Sequence, residues 1–494
     1  MFYPGIRPRL FVRSSNQLRT FAIPAMVALA FAACGSGGNG PTPVADLPTE
    51  ARNKDGLYIS WDENTIDDEN RSGGVPLRGA DGLQMADLDQ DGYLDIVSVH
   101  EDSDHLRVAY GSDNPTDWFR LSLAEGEEVD AIEDVALGDI NGDGFVDAIA
   151  ACENGHLIYL QNPANKIRGW RWDRVIPEVT RGRGSFIRVF VADIDGDGKL
   201  EVIASNKGSG RSEEAKAAKP KTEISWFDPP DDPLSADGWT EHVLTLVDTP
   251  INAQPFDLDG DGDIDIFAGS RGESRVFWFE NQGAGEDGAP AFIERPVAVD
   301  LGANASTLGE ARFSGFNLAF HDFNEDGRID VVIPAMPHAV GWLEHPADPA
   351  APWAFHFIGS IEPDELVSVT LADITGNGQL DLMTGSYSRG PRDKDGPDVG
   401  PNDPAGRITW FENPGSPGGA WTQHDISRRK RGMFDAFIAR DMDGDGDVDF
   451  VGTRGNSAEY DGVFWLKQLQ SEAPAKRFTP ARNEESEFMA LPER

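Results

Sequence analysis

One nine-residue pattern recurs seven times along the chain: DLDQDGYLD from Asp87, DINGDGFVD from Asp139, DIDGDGKLE from Asp193, DLDGDGDID from Asp257, DFNEDGRID from Asp322, DITGNGQLD from Asp373 and DMDGDGDVD from Asp441. Oxygen-bearing side chains occupy positions 1, 3, 5 and 9, with glycine at 6 and an aliphatic residue at 8. The copies begin about 59 residues apart on average. A chain of equal units must stack or close those units against one another, so this period limits the fold more than any other feature. Its 494 residues would otherwise suggest three domains of ordinary size.

The spacing suits a hard cation. Calcium takes six to eight oxygens, and alternate side chains on a tight loop converge on one ion when glycine permits the turn. The ligand set is Asp87, Asp89, Asp91 and Asp95; Asp139, Asn141, Asp143 and Asp147; Asp193, Asp195, Asp197 and Glu201; Asp257, Asp259, Asp261 and Asp265. It continues with Asp322, Asn324, Asp326 and Asp330; Asp373, Thr375, Asn377 and Asp381; Asp441, Asp443, Asp445 and Asp449. Up to seven Ca2+ ions are expected, with the Asp373 loop weakest because Thr375 and Asn377 replace acids. The first half matches an EF-hand loop, but the last acid falls at position 9 and the flanks are β-like, as in DIVSV (95–99) and DVVIP (330–334).

Between the loops lie two further repeats. Aromatic strands run into turns, as in EISWFDPP (223–230) and RITWFENPG (407–415). Then comes an aromatic residue with a side chain three places on and usually an aliphatic residue five places on, as in Trp239/His242/Leu244 and Trp421/His424/Ile426. Each unit is thus four strands, with the acidic loop between the first and second. The last copy of the third pattern is missing after the seventh loop and stands instead at the start, as Trp61/Asn64/Ile66. That offset closes a ring: the expected fold is all-β, a seven-bladed propeller over 57–469 whose last blade is completed by the N-terminal strand. Six tryptophans, Trp61, Trp118, Trp170, Trp239, Trp353 and Trp421, are assigned to the start of fourth strands, leaving Trp172 over. His242, His356 and His424 share one structural slot.

The loops and aromatic strands together resemble the FG-GAP/VCBS repeat family, whose calcium-loop propellers include the head of integrin α chains. The resemblance implies the propeller and its calcium, but not an activity, since relatives include adhesion modules, sugar lyases and dehydratases.

The N-terminus carries Arg7, Arg9, Arg13 and Arg19, then the apolar run FAIPAMVALAFAA ending at Ala33, then Cys34. Residues 1–33 read as an export signal whose apolar run is too short to span a bilayer. FAAC resembles a lipobox, so Cys34 is expected to be lipidated and followed by a flexible tether to residue 56, with an outer-membrane address. Residues 470–494 form a C-terminal tail. With 43 Lys and Arg against 85 Asp and Glu, the net charge of −42 excludes nucleic acid and limits membrane contact to the lipid anchor. Cys152 would then lack a disulfide partner, and the cations replace disulfides as cross-links.

Connections opposite the acidic loops collect cations unusual for so acidic a chain. Candidate ligand-binding residues are His100, Lys207, Arg271, Arg181, Arg183 and Arg312, with the cluster Arg428, Arg429, Lys430 and Arg431 beside them. One reading is a surface-anchored binding or scaffold module that takes a protein or anionic glycan on this face. The alternative is an uronate-directed polysaccharide lyase, in which Arg389 or Arg454 neutralises a carboxylate while His338, Tyr387 or Tyr460 moves the proton.

Overall fold

The computed structural model describes residues 41–494, apart from 166, 209–220, 286–288, 310, 389–398, 483–485 and 493–494. The export signal, Cys34 and Arg389 therefore lie outside the described residues.

The chain forms seven mainly antiparallel sheets arranged as the blades of a β-propeller. Blade 1 shows the plan, with strands Ala80–Ala86, Asp95–His100, His105–Tyr110 and Phe119–Glu125. Every acidic loop joins a first strand to a second in one register. The residue before position 1 pairs with position 9 in all seven: Ala86 with Asp95, Gly138 with Asp147, Ala192 with Glu201, Phe256 with Asp265, His321 with Asp330, Ala372 with Asp381 and Arg440 with Asp449.

Second strands are buried along their whole length, as in Asp147–Cys152 and Asp265–Ser270, because blades pack against them on both faces. Hydrophobic clusters accordingly span neighbouring blades: Val97 and Val108 of blade 1 join Val135, Ile158 and Trp172 of blade 2. Cys152 lies in this seam as a free buried thiol whose pKa burial pushes up.

The ring closes through Tyr58–Asp68, which pairs antiparallel with Gly462–Ser471, Asn64 opposite Trp465. Buried ion pairs lock this strand. Glu63 meets Arg429 at 3.1 Å and Arg454 at 3.4 Å, and Asp67 meets Arg107 of blade 1 at 2.9 Å. Beyond residue 469 the chain adds another strand, Phe478–Thr479, parallel to Trp61 and Asp62, so the outer edge of this blade is covered. Within the stretch expected as tether, Val44, Ala45 and Ala51 are buried, and Val44 N–H donates to the Met489 carbonyl at 2.9 Å.

The tryptophan assignment needs one correction. Trp172, not Trp170, fills the slot at the start of the fourth strand of blade 2, buried at 2% exposure, while Trp170 is 56% exposed. The histidine slot is structural: His242, His356 and His424 stack on Trp226, Trp342 and Trp410 at 3.8, 3.9 and 4.3 Å between centroids.

Candidate metal loops and the axial mouth

Position 9 is a bracket as well as a candidate ligand in every loop but the third, where Pro229 fills the donor's slot and Glu201 keeps only the Ile194 N–H. The Asp265 carboxylate accepts N–H bonds from Leu258 within its loop at 2.9 Å and from Asn281 at 2.8 Å. Asp95, Asp330, Asp381 and Asp449 make the same two bonds, tying the loop to its third strand or the residue just beyond it. Burial outweighs these bonds and raises the carboxyls of Asp95, Asp265, Asp330 and Asp381 to about 7. The remaining carboxylates gather above the bracket. In four loops three acids bring an oxygen each within 4.8 Å of one another: Asp87, Asp89 and Asp95; Asp193, Asp195 and Asp197; Asp257, Asp259 and Asp265; Asp441, Asp443 and Asp449.

Calcium fits this donor set. Asp89 Oδ1, Asp193 Oδ1 and Asp443 Oδ1 are buried without a hydrogen-bond partner, as is Thr375 Oγ1 at position 3 of the sixth loop. Such oxygens are costly to bury unless a cation meets them. The two asparagine-bearing loops differ: Asn141 Nδ2 donates to Asp143 Oδ2 at 3.1 Å, and Asn324 Nδ2 to Asp326 Oδ2 at 3.0 Å, which relieves part of the repulsion internally.

Three loops carry protein cations that their repeat pattern does not announce. Arg168 Nε lies 2.5 Å from Asp89 Oδ2 and pairs with Asp91; Arg328 pairs with Asp326; Lys467 pairs with Asp443 and Asp445. Arg168 stands 79 residues from Asp89. Only the spacing of adjacent blades could have found it.

Midway along their length the first strands surround an axial cavity of about 240 Å³, lined from all seven blades by residues including Gln84, Asp134, Asn252, Asn317, Thr370 and Asp435. Arg188 of blade 3 crosses this axis. Its Nη2 donates to Asn317 Oδ1 at 3.0 Å and to Asp435 Oδ2 at 3.2 Å, and its guanidinium lies 4.4 Å from the Phe316 ring centre. Burial raises the Asp134 carboxyl to about 6 even with Arg188 beside it.

The candidate cations divide between the mouth of this cavity and the blades. Arg271 is exposed, its guanidinium 5.4 Å from the ring centre of Phe316, the same ring that the axial Arg188 covers. Lys207 is held by Glu153. Arg183 is held by Glu223 and Glu241 on its own blade, and Arg181 by Glu178, so neither turns to the axis. His100 is buried against Ser98 Oγ at 3.1 Å, and burial holds its imidazolium well below the usual range. Arg428 is fully buried, its Nε and Nη2 bonding Asp364 at 2.8 and 2.9 Å.

Of the residues considered for proton abstraction, His338 Nδ1 is 2.9 Å from the Asp364 carbonyl oxygen, and Tyr387 bridges to Met433. Arg454 donates to the Tyr460 carbonyl from Nε at 2.9 Å and from Nη2 at 2.7 Å, while the Tyr460 ring lies 5.3 Å from the Arg482 guanidinium.

The architecture and its loops define a seven-bladed β-propeller with acidic inter-strand loops. The chain carries FG-GAP-like repeats, matched by the family model over residues 87–150, 139–204 and 257–333. No curated protein gives a significant match. Among solved structures it is similar to YCF48 from Cyanidioschyzon merolae, at 9% identity and a TM-score of 0.47, covering 82% of this chain and 98% of that one. It is also similar to the Myceliophteria thermophila Cps50 (Swd1) β-propeller domain, at 10% identity and a TM-score of 0.44, covering 83% and 99%.

Proposed function

We propose that the protein is a calcium-binding propeller, exported and held at the outer membrane through Cys34, that serves as a binding or scaffold module. The observation that carries this reading is the convergence of three carboxylates in each of four loops, with partnerless buried oxygens at Asp89, Asp193 and Asp443. Bound calcium would supply the positive charge that lets these groups ionise together. The chain's own residues fix the donors in place through the position-9 bracket.

The axial mouth with Arg271 and Arg312 is the proposed site for a protein or anionic glycan, recognised through carboxylate or sulfate groups. The lyase reading has less support, because the Arg454 guanidinium is already taken by the Tyr460 carbonyl and Glu63. Isothermal titration of calcium into the EDTA-stripped, dialysed protein tests the proposal. Several equivalents of saturable heat support it, and an absence of saturable binding would overturn it.

A further inference from the structure

We propose that the turn 167–170 of blade 2, together with Phe119 of blade 1, forms a binding platform for neutral glycans at the acidic-loop end of the blades. Ten of the twelve tryptophans are buried and Trp421 is half-buried, so Trp170 stands apart. Its neighbours are exposed too, Ile167 at 60% and Phe119 at 49%. Because Trp172 fills the fourth-strand slot, the fold's own packing does not use Trp170.

The turn is built rather than loose. Trp170 N–H donates to the Ile167 carbonyl at 3.1 Å, and Ile167 N–H to Asn165 Oδ1 at 2.9 Å. Gly169 sits at φ +81°, and a Cβ there would lie 3.9 Å from the Phe119 ring and 3.8 Å from Leu121, which places the turn on blade 1. Arg168 pins it, donating to the Gly111 carbonyl at 2.8 Å besides its pair with Asp89. Polar bonds thus fix the backbone while the apolar side chains stay in solvent. A ligand meeting such a surface pays little ordering entropy.

The size and rim of the patch select the ligand. A pyranose presents a face of C–H groups that covers one or two aromatic rings, with hydroxyls around its edge that need donors and acceptors. Exposed Asn114, Thr116 and Asp117 lead into Phe119 and supply them. A stable protein interface needs about 800 Å² from each partner, more than these few side chains offer. Exposed Asp113, Asp117 and Asp173 outnumber the exposed Arg171 beside Trp170, and Arg168 is already neutralised by Asp89 and Asp91, so among the described residues the patch has no surplus positive charge to select uronates or sulfated sugars.

Affinity electrophoresis of the full folded protein through gels containing soluble glucans, mannans, galactans or xylans tests the proposal, with polygalacturonate and alginate alongside. The account expects retardation by at least one neutral polysaccharide. That retardation should weaken at least tenfold in Trp170→Ala and persist in part in Trp170→Phe, with unchanged thermal melting in both. Retardation by none of the neutral polymers, retardation that Trp170→Ala leaves intact, or binding confined to the uronates would overturn it. None of these results would alter the calcium titration, so the two readings fail separately.

Discussion

The ammonium of Lys467 rests on the Asp443 carboxylate, position 3 of the seventh loop, with Asp445 only 3.4 Å away. The loop with the pattern DMDGDGDVD thus brings its own counter-ion from the third strand of its blade. Hydrogen bonds from Asp447, and after them the Lys467 charge, outweigh burial and hold Asp445 below the usual carboxylate range, while the Asp443 and Asp445 carboxylates raise the lysine. A calcium ion entering the loop must contend with this ammonium. Replacing Lys467 with Met is expected to tighten cation binding there by about tenfold, or about 1.4 kcal/mol. Terbium luminescence compared between proteins with and without the further change Trp465→Phe isolates the emission sensitised by Trp465, whose ring centre lies 5.8 Å from Lys467 Nζ. An unchanged midpoint would show that Lys467 does not compete.

The loops should fill in an order set by both their acids and their cations. Asp257, Asp259, Asp261 and Asp265 give four carboxylates, and among the described residues no Lys or Arg pairs with them. The Asp193 loop likewise has four acids and, among the described residues, no paired cation, so Asp257→Asn and Asp193→Asn should each remove part of the tightest phase of a calorimetric calcium titration. Asp373→Asn, in the loop with two acids, should leave that phase in place. The reverse pattern would contradict the ordering.

The sequence period made the blade number, the strand order and the circular closure legible, because the loops hold one register in every blade. What it hid were contacts across blades. Arg428 and Arg429 read as rim cations, yet Asp364 and Glu63, distant in sequence, draw them into the interior. Trp170 and Trp172 are two residues apart, so spacing alone could not tell which of them entered the core.

Arg428 spends its donors on Asp364 and on the carbonyls of Pro401, Asp403 and Ala490. Arg428→Met would leave the buried Asp364 carboxylate with only Arg407 at 3.4 Å and the Ala405 N–H at 2.9 Å, at a cost of up to about 3 kcal/mol. Urea unfolding measures this. The double variant Arg428→Met/Asp364→Leu should recover part of the loss, and a single variant as stable as the wild type would show that the pair is dispensable.

Asp461 latches blade 7 to blade 1, accepting the Gly79 N–H at 2.9 Å, and burial raises its carboxyl to about 7. The unfolded value lies near 3.9, so the folded state holds the proton more tightly. Its contribution to stability is full below about pH 4, declines as pH rises and is lost above about 7. In EDTA, the wild type should lose melting temperature relative to Asp461→Asn between pH 4.5 and 7.5. Parallel pH profiles for the two proteins would rule out this role.

The central claim is that cations in the acidic loops cross-link a chain whose described cysteine, Cys152, is a free thiol. Thermal melting near neutral pH, with excess calcium and again with excess EDTA, tests it most directly. The account predicts a melting temperature at least ten degrees higher with calcium, restored when calcium is added back after chelation. Coincident melting curves in the two buffers would contradict it.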